Sequence, residues 1–397
     1  MASKLSLLCL IVILVFAGCK KTSNSASSAP NAPSSSAAPQ TQAQQNHPEG
    51  GAATLAEVKY FKGSIGNSLD LQMKLLRAGE QLTGSYSYLK VGTKIDLRGS
   101  VDKNGNITLE EFDTTGKQTG LFKGIWKPDA EDGLVTIAGN WSKPPGKGDD
   151  KKTAFSLHEE AITFTYGTDV VTKQIKETNK KLVYDISAQY PEITGPGNTN
   201  FDKFNQLVRG SVLKKVAGFK KEMQPRPDEE PRPENSMGSD LDISYKIELA
   251  QDDLVSVSFS ISSYYQGAAH PNSFSEVVNY DLKNGKQLKL ADLFKPDAKY
   301  LQAISSYCID DLKKQSNAKG ADGMLDESSI KSGAAPAPKN YQSWTITRKG
   351  LGINFDAYQV GPYAAGPQFV NVPYSALKDL INPEGPIAQL SISQGLK

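Results

Sequence analysis

From Glu57 onward the chain runs in short alternating stretches, and that period of two commits much of it to strands. Leu69, Leu71, Met73 and Leu75 share one face, as do Ile95, Leu97, Gly99 and Val101, then Ile107 and Leu109, and later Val135, Ile137, Gly139 and Trp141. Successive side chains of a strand point to opposite faces, so such runs at intervals of roughly 8–12 residues predict an antiparallel meander, either a small barrel or a curled sheet. Asn104-Gly105 is the clearest hairpin turn, because Asn and Gly tolerate the positive φ a tight turn demands. Asp102 to Asn106 begins like a calcium loop, but Ile107 occupies the sixth place, where Gly is required, and Asp113 the twelfth, where Glu belongs. A plain hairpin is therefore expected there. Glycine and aromatic residues recur together at Gly84–Tyr88, Gly120–Trp126 and Gly139–Trp141. In a bent sheet, glycine relieves crowding and the aromatic ring fills the space across it, which favours strong curvature or closure. The alternative is an aromatic platform for sugars or apolar ligands at a barrel mouth. Residues 55–160 are read as this β-rich domain, with a surface loop over Lys143–Asp150 before a last strand near Thr153–Leu157.

The remainder, residues 161–397, mixes periods. Strand-like runs over Val170–Ile186 lead to the turn Gly195-Pro196-Gly197. Phe201, Phe204, Val208, Val212, Val216, Phe219 and Met223 then recur at three and four. That spacing predicts an amphipathic helix with an Asn or Thr cap, its apolar stripe packed on the sheet that follows. Pro225–Ser239 reads as a solvated, charged, proline-rich loop. Strands follow at Leu241–Leu249 and Leu254–Tyr265, where Val255, Val257, Phe259 and Ile261 alternate with serines, and at Phe274–Leu282. The Asn284-Gly285 turn then leads to Gln287–Leu290. A second helix from about Asp297 carries Tyr300, Leu301, Ile304, Cys308 and Leu312 on one face, so Cys308 reads as a small buried hydrophobe. Ser316–Lys339 is expected to be a polar insertion. Strands at Trp344–Ile346, Leu351–Tyr358 and Phe369–Val372 and a short helix at Tyr374–Ile381 complete an α+β domain with helices on an antiparallel sheet.

The leading segment reads as an address. One positive charge at Lys4 precedes the apolar run Leu5–Phe16 and the small pair Ala17-Gly18. A membrane-spanning helix needs about 20 apolar residues, so residues 1–18 are expected to be a signal peptide. Ala17-Gly18-Cys19 resembles the bacterial lipobox, with Phe16 where that pattern usually has Leu. The resemblance implies a lipid-modified Cys19 and an exported protein anchored in a membrane, facing the periplasm or the cell surface. Acylation with two or more chains would make that anchor stable. Residues 19–54 are rich in Ser, Ala, Pro, Asn and Gln, cannot bury enough apolar surface to offset ordering entropy, and are read as a flexible linker. With Cys9 and Cys19 in this segment and Cys308 alone beyond it, the body is expected to be held by its core rather than by disulfides.

Lys and Arg number 45 against 43 Asp and Glu, a formal charge of +2. A clustered basic surface, which phosphate binding requires, is therefore not expected, and nucleic acid is excluded as a partner. Of the 3 histidines, His47 falls in the linker, leaving His158 and His270. A zinc site commonly needs three protein ligands, and His158-Glu159-Glu160-Ala161-Ile162 has Ile where a zinc-protease helix needs its second His. No nucleophile elbow, phosphate loop or dinucleotide fingerprint appears. No catalytic residue, metal or cofactor is expected. His270 in Gly267-Ala268-Ala269-His270-Pro271 has two readings. One is a tight connection between strands with a structural hydrogen bond. The other places His270 with Tyr264, Tyr265 and Asn272 on a recognition surface beside the Tyr358–Gly366 loop, which includes Tyr363. Rigid aromatic side chains there would supply contact area at low entropy cost.

Three ordered blocks carry a resemblance to a known family. They are Tyr265-Gln266-Gly267-Ala268-Ala269-His270-Pro271, then Asp281–Lys286 with Leu290–Phe294, then Ile353–Gly366 with Val372-Pro373-Tyr374. Over roughly Thr163–Leu380 the chain resembles the RsiV-like extracytoplasmic domain found in lysozyme-sensing anti-sigma factors and beside the catalytic domain of some peptidoglycan deacetylases. The resemblance implies a helix-backed antiparallel sheet and an envelope-facing binding module, with lysozyme-type protein or a peptidoglycan-related ligand as its partner. The alternative function is an envelope hydrolase or deacetylase that uses His270.

Overall fold

Eight antiparallel strands close the first part of the chain into an up-and-down barrel: β1 (Glu57–Ile65), β2 (Leu69–Ala78), β3 (Gln81–Tyr88), β4 (Lys94–Val101), β5 (Asn106–Phe112), β6 (Gln118–Pro128), β7 (Val135–Ser142) and β8 (Lys152–Glu160). Strand β1 closes the circle by pairing with both β2 and β8, with Phe61 opposite Met73 on one side and Glu159 on the other. The computed structural model describes residues 56–130, 132–144, 146, 151–164, 167–196, 199–225, 238–318 and 324–395. The expected signal peptide, lipidated Cys19 and linker, the Asn198 cap, and most of the Lys143–Asp150 and Pro225–Ser239 loops lie outside the described residues.

Alternation decides which side chains enter the barrel. Leu71, Met73 and Leu75 are buried with Leu97, Val101, Ile107, Leu109 and Ile137. The aromatic residues of the glycine-rich stretches also turn inward: Tyr86 meets Phe122 edge-on at 5.6 Å, and Phe122 meets Phe155 at 5.1 Å. The barrel is thus filled by its own rings. Gly139 faces Gly124 across β6 and β7, where a methyl group would strike the partner backbone. The β4–β5 turn is a hairpin in which Asp102 Oδ1 accepts from the Asn104 and Asn106 amides, each at 2.8 Å, and Gly105 adopts φ +80°. Among the described residues two carboxylates are buried in the barrel, Glu159, paired with Lys59 at 2.9 Å, and Glu111, which accepts from Tyr86 Oη (2.8 Å), Trp141 Nε1 (2.9 Å) and Thr119 Oγ1 (2.6 Å). Three donors satisfy a group that would otherwise be costly to bury.

Beyond the barrel come β9 (Ile162–Thr163), β10 (Asp169–Asn179) and β11 (Tyr184–Thr194), then helix α1 (Thr199–Glu222), then β12 (Ser239–Gln251), β13 (Leu254–Tyr264), β14 (Asn272–Asp281) and β15 (Lys286–Gln287). They form a seven-stranded sheet in the order β10-β11-β12-β13-β14-β15, with β9 alongside β12. The sheet is antiparallel except where β12 runs parallel to β11 and to β9. The parallel pair arises because α1 carries the chain back to the end from which β11 started, as a crossover must. Every position of the predicted helical stripe, from Phe201 to Met223, is buried with Tyr184, Ile186, Val257 and Ile261 of the sheet.

Helices α2 (Tyr300–Ala318) and α3 (Glu327–Gly333), strands β16 (Trp344–Ile346), β17 (Gly350–Phe355) and β18 (Gln368–Pro373), and helices α4 (Tyr374–Leu377) and α5 (Ala388–Gly395) build a second layer around a three-stranded antiparallel sheet. Helix α2 begins three residues later than the periodicity placed it, because Asp297 adopts φ +59°. The expected polar insertion contains α3, whose cap Asp326 accepts from the Ser329 amide at 3.0 Å and whose Ile330 is buried. The expected run Gln287–Leu290 is only the short β15 followed by a 3-10 turn at Leu290–Leu293. Cys308 is buried in this second core, and burial pushes its thiol up to about 12.

The described residues belong to one compact unit, and the barrel is seated on the large sheet. Tyr60 of β1 joins the sheet's core rather than the barrel's, and its hydroxyl donates to the Thr168 carbonyl at 2.9 Å. Gln72 of β2 accepts from the Thr172 amide at 2.8 Å, and Lys74 pairs with Asp169. Glu160 is half-buried beside Lys62. Among the described residues no helix is long and apolar enough to cross a membrane.

Candidate functional site

The β13–β14 connection and the β17–β18 connection meet at one end of the two sheets. His270 lies in the first, and its ring stacks on Tyr363 of the second with centroids 3.9 Å apart and planes inclined by 22°. Tyr358 leans against both rings, at 6.4 Å from His270 and 5.5 Å from Tyr363. Hydrogen bonds fix the orientation. The His270 Nδ1–H donates to the Pro271 carbonyl at 2.9 Å, which leaves Nε2 to accept from the Tyr358 hydroxyl at 3.4 Å. The Tyr363 hydroxyl donates to the same Pro271 carbonyl at 3.1 Å.

Tyr358 is the unusual member of this group. It adopts φ +73°, a left-handed conformation costly for a residue with a Cβ, and it leaves 65% of its surface exposed. Backbone strain of about 1–3 kcal/mol concentrates where function requires a particular presentation. Here it holds a large ring out of the surface beside an ordered aromatic stack.

Not every expected residue joins them. Tyr265 turns toward α1, where its ring lies 5.6 Å from Phe219; burial and a hydrogen bond to Glu222 push its hydroxyl up to about 12. Tyr264 pairs in register with Asp240 on β12, and Asn272 stands exposed opposite Ser263 at the start of β14. The structure therefore brings together His270, Tyr358 and Tyr363, and assigns Tyr265 to the packing of α1. His158 is distant in sequence and context. It sits on barrel strand β8, within 3.3 Å of Thr136 Oγ1 and Ser156 Oγ.

A cleft of about 200 Å³ adjoins the stack, between the β13–β14 face and the three-stranded sheet. Deeper between the layers the two sheets are bonded to each other: Ser256 donates to Asn279 Oδ1 at 2.6 Å and accepts from the Ile346 amide at 2.9 Å, while Asn279 donates to the Trp344 carbonyl at 2.7 Å. Further along, Asp356 Oδ1 accepts from the Ser275 amide (3.0 Å), the Ser275 hydroxyl (2.7 Å) and Asn354 Nδ2 (2.9 Å). Asp356 is two residues from Tyr358, so cleft and stack are continuous through one loop. A larger space of about 500 Å³ lies between the barrel wall and β10, but Lys74 and Asp169 line it and pair with each other, so it belongs to the junction.

A family model described as Deacetylase PdaC matches residues 177–273, and one described as a protein of unknown function, DUF3298, matches residues 291–375. Peptidoglycan-N-acetylmuramic acid deacetylase PdaC of Bacillus subtilis strain 168 is 28% identical over 206 residues, which cover 52% of this chain and 41% of that protein. The chain thus spans less than half the length of that curated relative. A solved structure of a DUF3298 family member from Bacteroides fragilis has a TM-score of 0.41 at 18% identity, covering 57% of this chain and 98% of that one. Another, from Pseudomonas aeruginosa PAO1, has a TM-score of 0.38 at 16% identity, covering 54% and 94% respectively. The first family model spans β11, α1, β12 and β13 of the large sheet, the second spans α2, α3 and the three-stranded sheet, and neither reaches the barrel.

Proposed function

We propose that this chain is a cell-envelope binding module that recognises a peptidoglycan-related ligand through the surface formed by His270, Tyr358 and Tyr363. The observation that carries the reading is Tyr358, strained and exposed beside a stacked pair whose polar atoms are already satisfied. Groups arranged in this way supply rigid contact area, which is what recognition requires. The similarity to a peptidoglycan deacetylase over the large sheet supports the envelope setting and the choice of ligand. Lipid on Cys19, followed by the Ser/Ala/Pro linker, would tether the module to a membrane and let it reach roughly 30 Å. A lysozyme-type protein is the second reading, supported by the protruding aromatic ring, which suits a pocket on a protein partner.

Co-sedimentation with purified sacculi and capture on immobilised lysozyme test the two ligands side by side. Retention on sacculi that is lost in Tyr358→Ala/Tyr363→Ala is expected. Retention on lysozyme alone would transfer the function to the second reading, and retention on neither, with a native melting transition, would remove both. Labelled fatty acid is expected to enter the parent and not Cys19→Ala.

A further inference from the structure

The cleft beside the aromatic stack is lined mainly by polar side chains on its β13–β14 side. On β13 and β14 the cleft is lined by Ser258, Ser260, Ser273 and Ser275 together with Val277, while the opposite face of β13 carries Val257, Phe259 and Ile261 into the core. A sheet face covered by a second layer is normally apolar, because each unpaired hydroxyl buried there carries a desolvation cost. Here Ser275 bonds to Ser343 and Asp356 of the covering layer and Ser258 to Glu248, and the space beside them is left as a slot in which the hydroxyl oxygens can still accept.

The facing wall supplies an aromatic floor. Phe369 of β18 is 50% exposed, and a methyl group added at Gly352 of β17 would come within 2.9 Å of its Cε2. The absence of a side chain at Gly352 is what allows the Phe369 ring to lie down over the strand. A flat ring opposite a row of hydroxyls is complementary to a pyranose, whose C–H face packs on the negative face of an aromatic ring while its equatorial hydroxyls point sideways to hydrogen-bonding partners. The charge of the lining selects further. It contains the carboxylates Asp356 and Glu248, the latter paired with Lys246 at 2.7 Å, and no cation among the lining residues, so it favours hydroxyl and N–H donors over an anionic substituent.

Building on the envelope-binding reading above, we infer that this serine-lined slot binds one neutral, N-acetylated sugar ring of a glycan strand, stacked on Phe369, and discriminates against a ring that bears a carboxylate.

Isothermal titration of the full chain with triacetylchitotriose, and separately with N-acetylmuramic acid, tests this directly. The neutral oligosaccharide is expected to bind and the acid is not. Phe369→Ala and Gly352→Ala, the second of which displaces the ring, should each weaken the neutral ligand by about tenfold, whereas His158→Ala on the barrel should leave it unchanged. Binding that ignores both cleft substitutions, or a preference for the acid, overturns the inference; each variant is first checked for a native melting transition. Retention on sacculi without any binding of the oligosaccharide removes the slot and leaves the aromatic surface as the recognition site. Loss of both removes the envelope-binding reading as well.

Discussion

The Lys62 ammonium lies 3.5 Å from the centroid of the Tyr245 ring and 3.3 Å from the Tyr245 carbonyl oxygen, so a cation on the barrel is seated on an aromatic ring of the large sheet. Tyr245 is anchored from its other end by a 2.6 Å hydrogen bond between its hydroxyl and that of Thr172. Glu160 completes the junction, accepting from the Ile247 amide at 3.4 Å.

That junction should give stability a recognisable dependence on pH. Burial lowers Lys62 from 10.5 to about 8, opposed by the nearby Glu160 and Asp70 carboxylates. Between those values the unfolded chain holds more protons, so this contribution to stability rises with pH from about 8 to 10.5. Burial raises Glu160 above 4.5, so its contribution is fully present below that value and is lost as pH rises through the folded one. The variant Lys62→Met/Glu160→Gln removes both titrations. Its melting temperature relative to the parent should be highest between the two windows and fall on either side. A difference that does not vary with pH would show that neither group governs the junction.

Tyr358 offers a separation of stability from binding. Glycine adopts φ +73° without the Cβ penalty of roughly 1–2 kcal/mol, while alanine retains it. Tyr358→Gly should therefore melt above Tyr358→Ala by an amount corresponding to about 1 kcal/mol, and both should lose retention on sacculi. Equal melting of the two variants would mean that the backbone here is not strained.

The serine–asparagine bridge beneath the cleft should be sensitive to truncation. Ser256→Ala leaves the Ile346 amide without its acceptor, and Asn279→Leu leaves the Trp344 carbonyl without its donor. Each is expected to cost about 1–3 kcal/mol in chemical denaturation. A loss of only a few tenths would mean that solvent reaches these groups.

Cys308 should be inert in the native state. With its thiol pushed up to about 12 and no exposed surface, alkylation at pH 8 should proceed only as fast as the second core opens. Labelling as fast as that of a small thiol, without denaturant, would place Cys308 at the surface.

Much of the architecture could be read from spacing. The period-two runs predicted a meander or barrel, and a closed barrel is present; the stripe from Phe201 to Met223 predicted α1 and its burial on the sheet. What spacing missed has identifiable causes. The parallel β11–β12 pair depends on where α1 returns the chain, and local alternation looks the same for parallel and antiparallel neighbours. Helix α3 is a capped helix of 7 residues, about two turns, inside a polar segment, too short to establish a period. Tyr265 was grouped with His270 by its position in the chain, yet the two side chains leave the β13–β14 connection for different neighbours.

The candidate site divides along the same line. Its ingredients were visible as residue types: serines alternating through β13, a Gly–Ala–Ala–His–Pro turn, and tyrosines in the Tyr358–Gly366 loop. The chain's own pattern therefore set which faces are apolar, where turns fall and which aromatic residues sit in loops, because these depend on neighbours within a few positions. That His270 stacks on Tyr363, 93 positions away in the chain, and that Phe369 faces the serine row was settled by the packing of one sheet over another. Such contacts depend on the relative placement of two layers, and no local period encodes that placement.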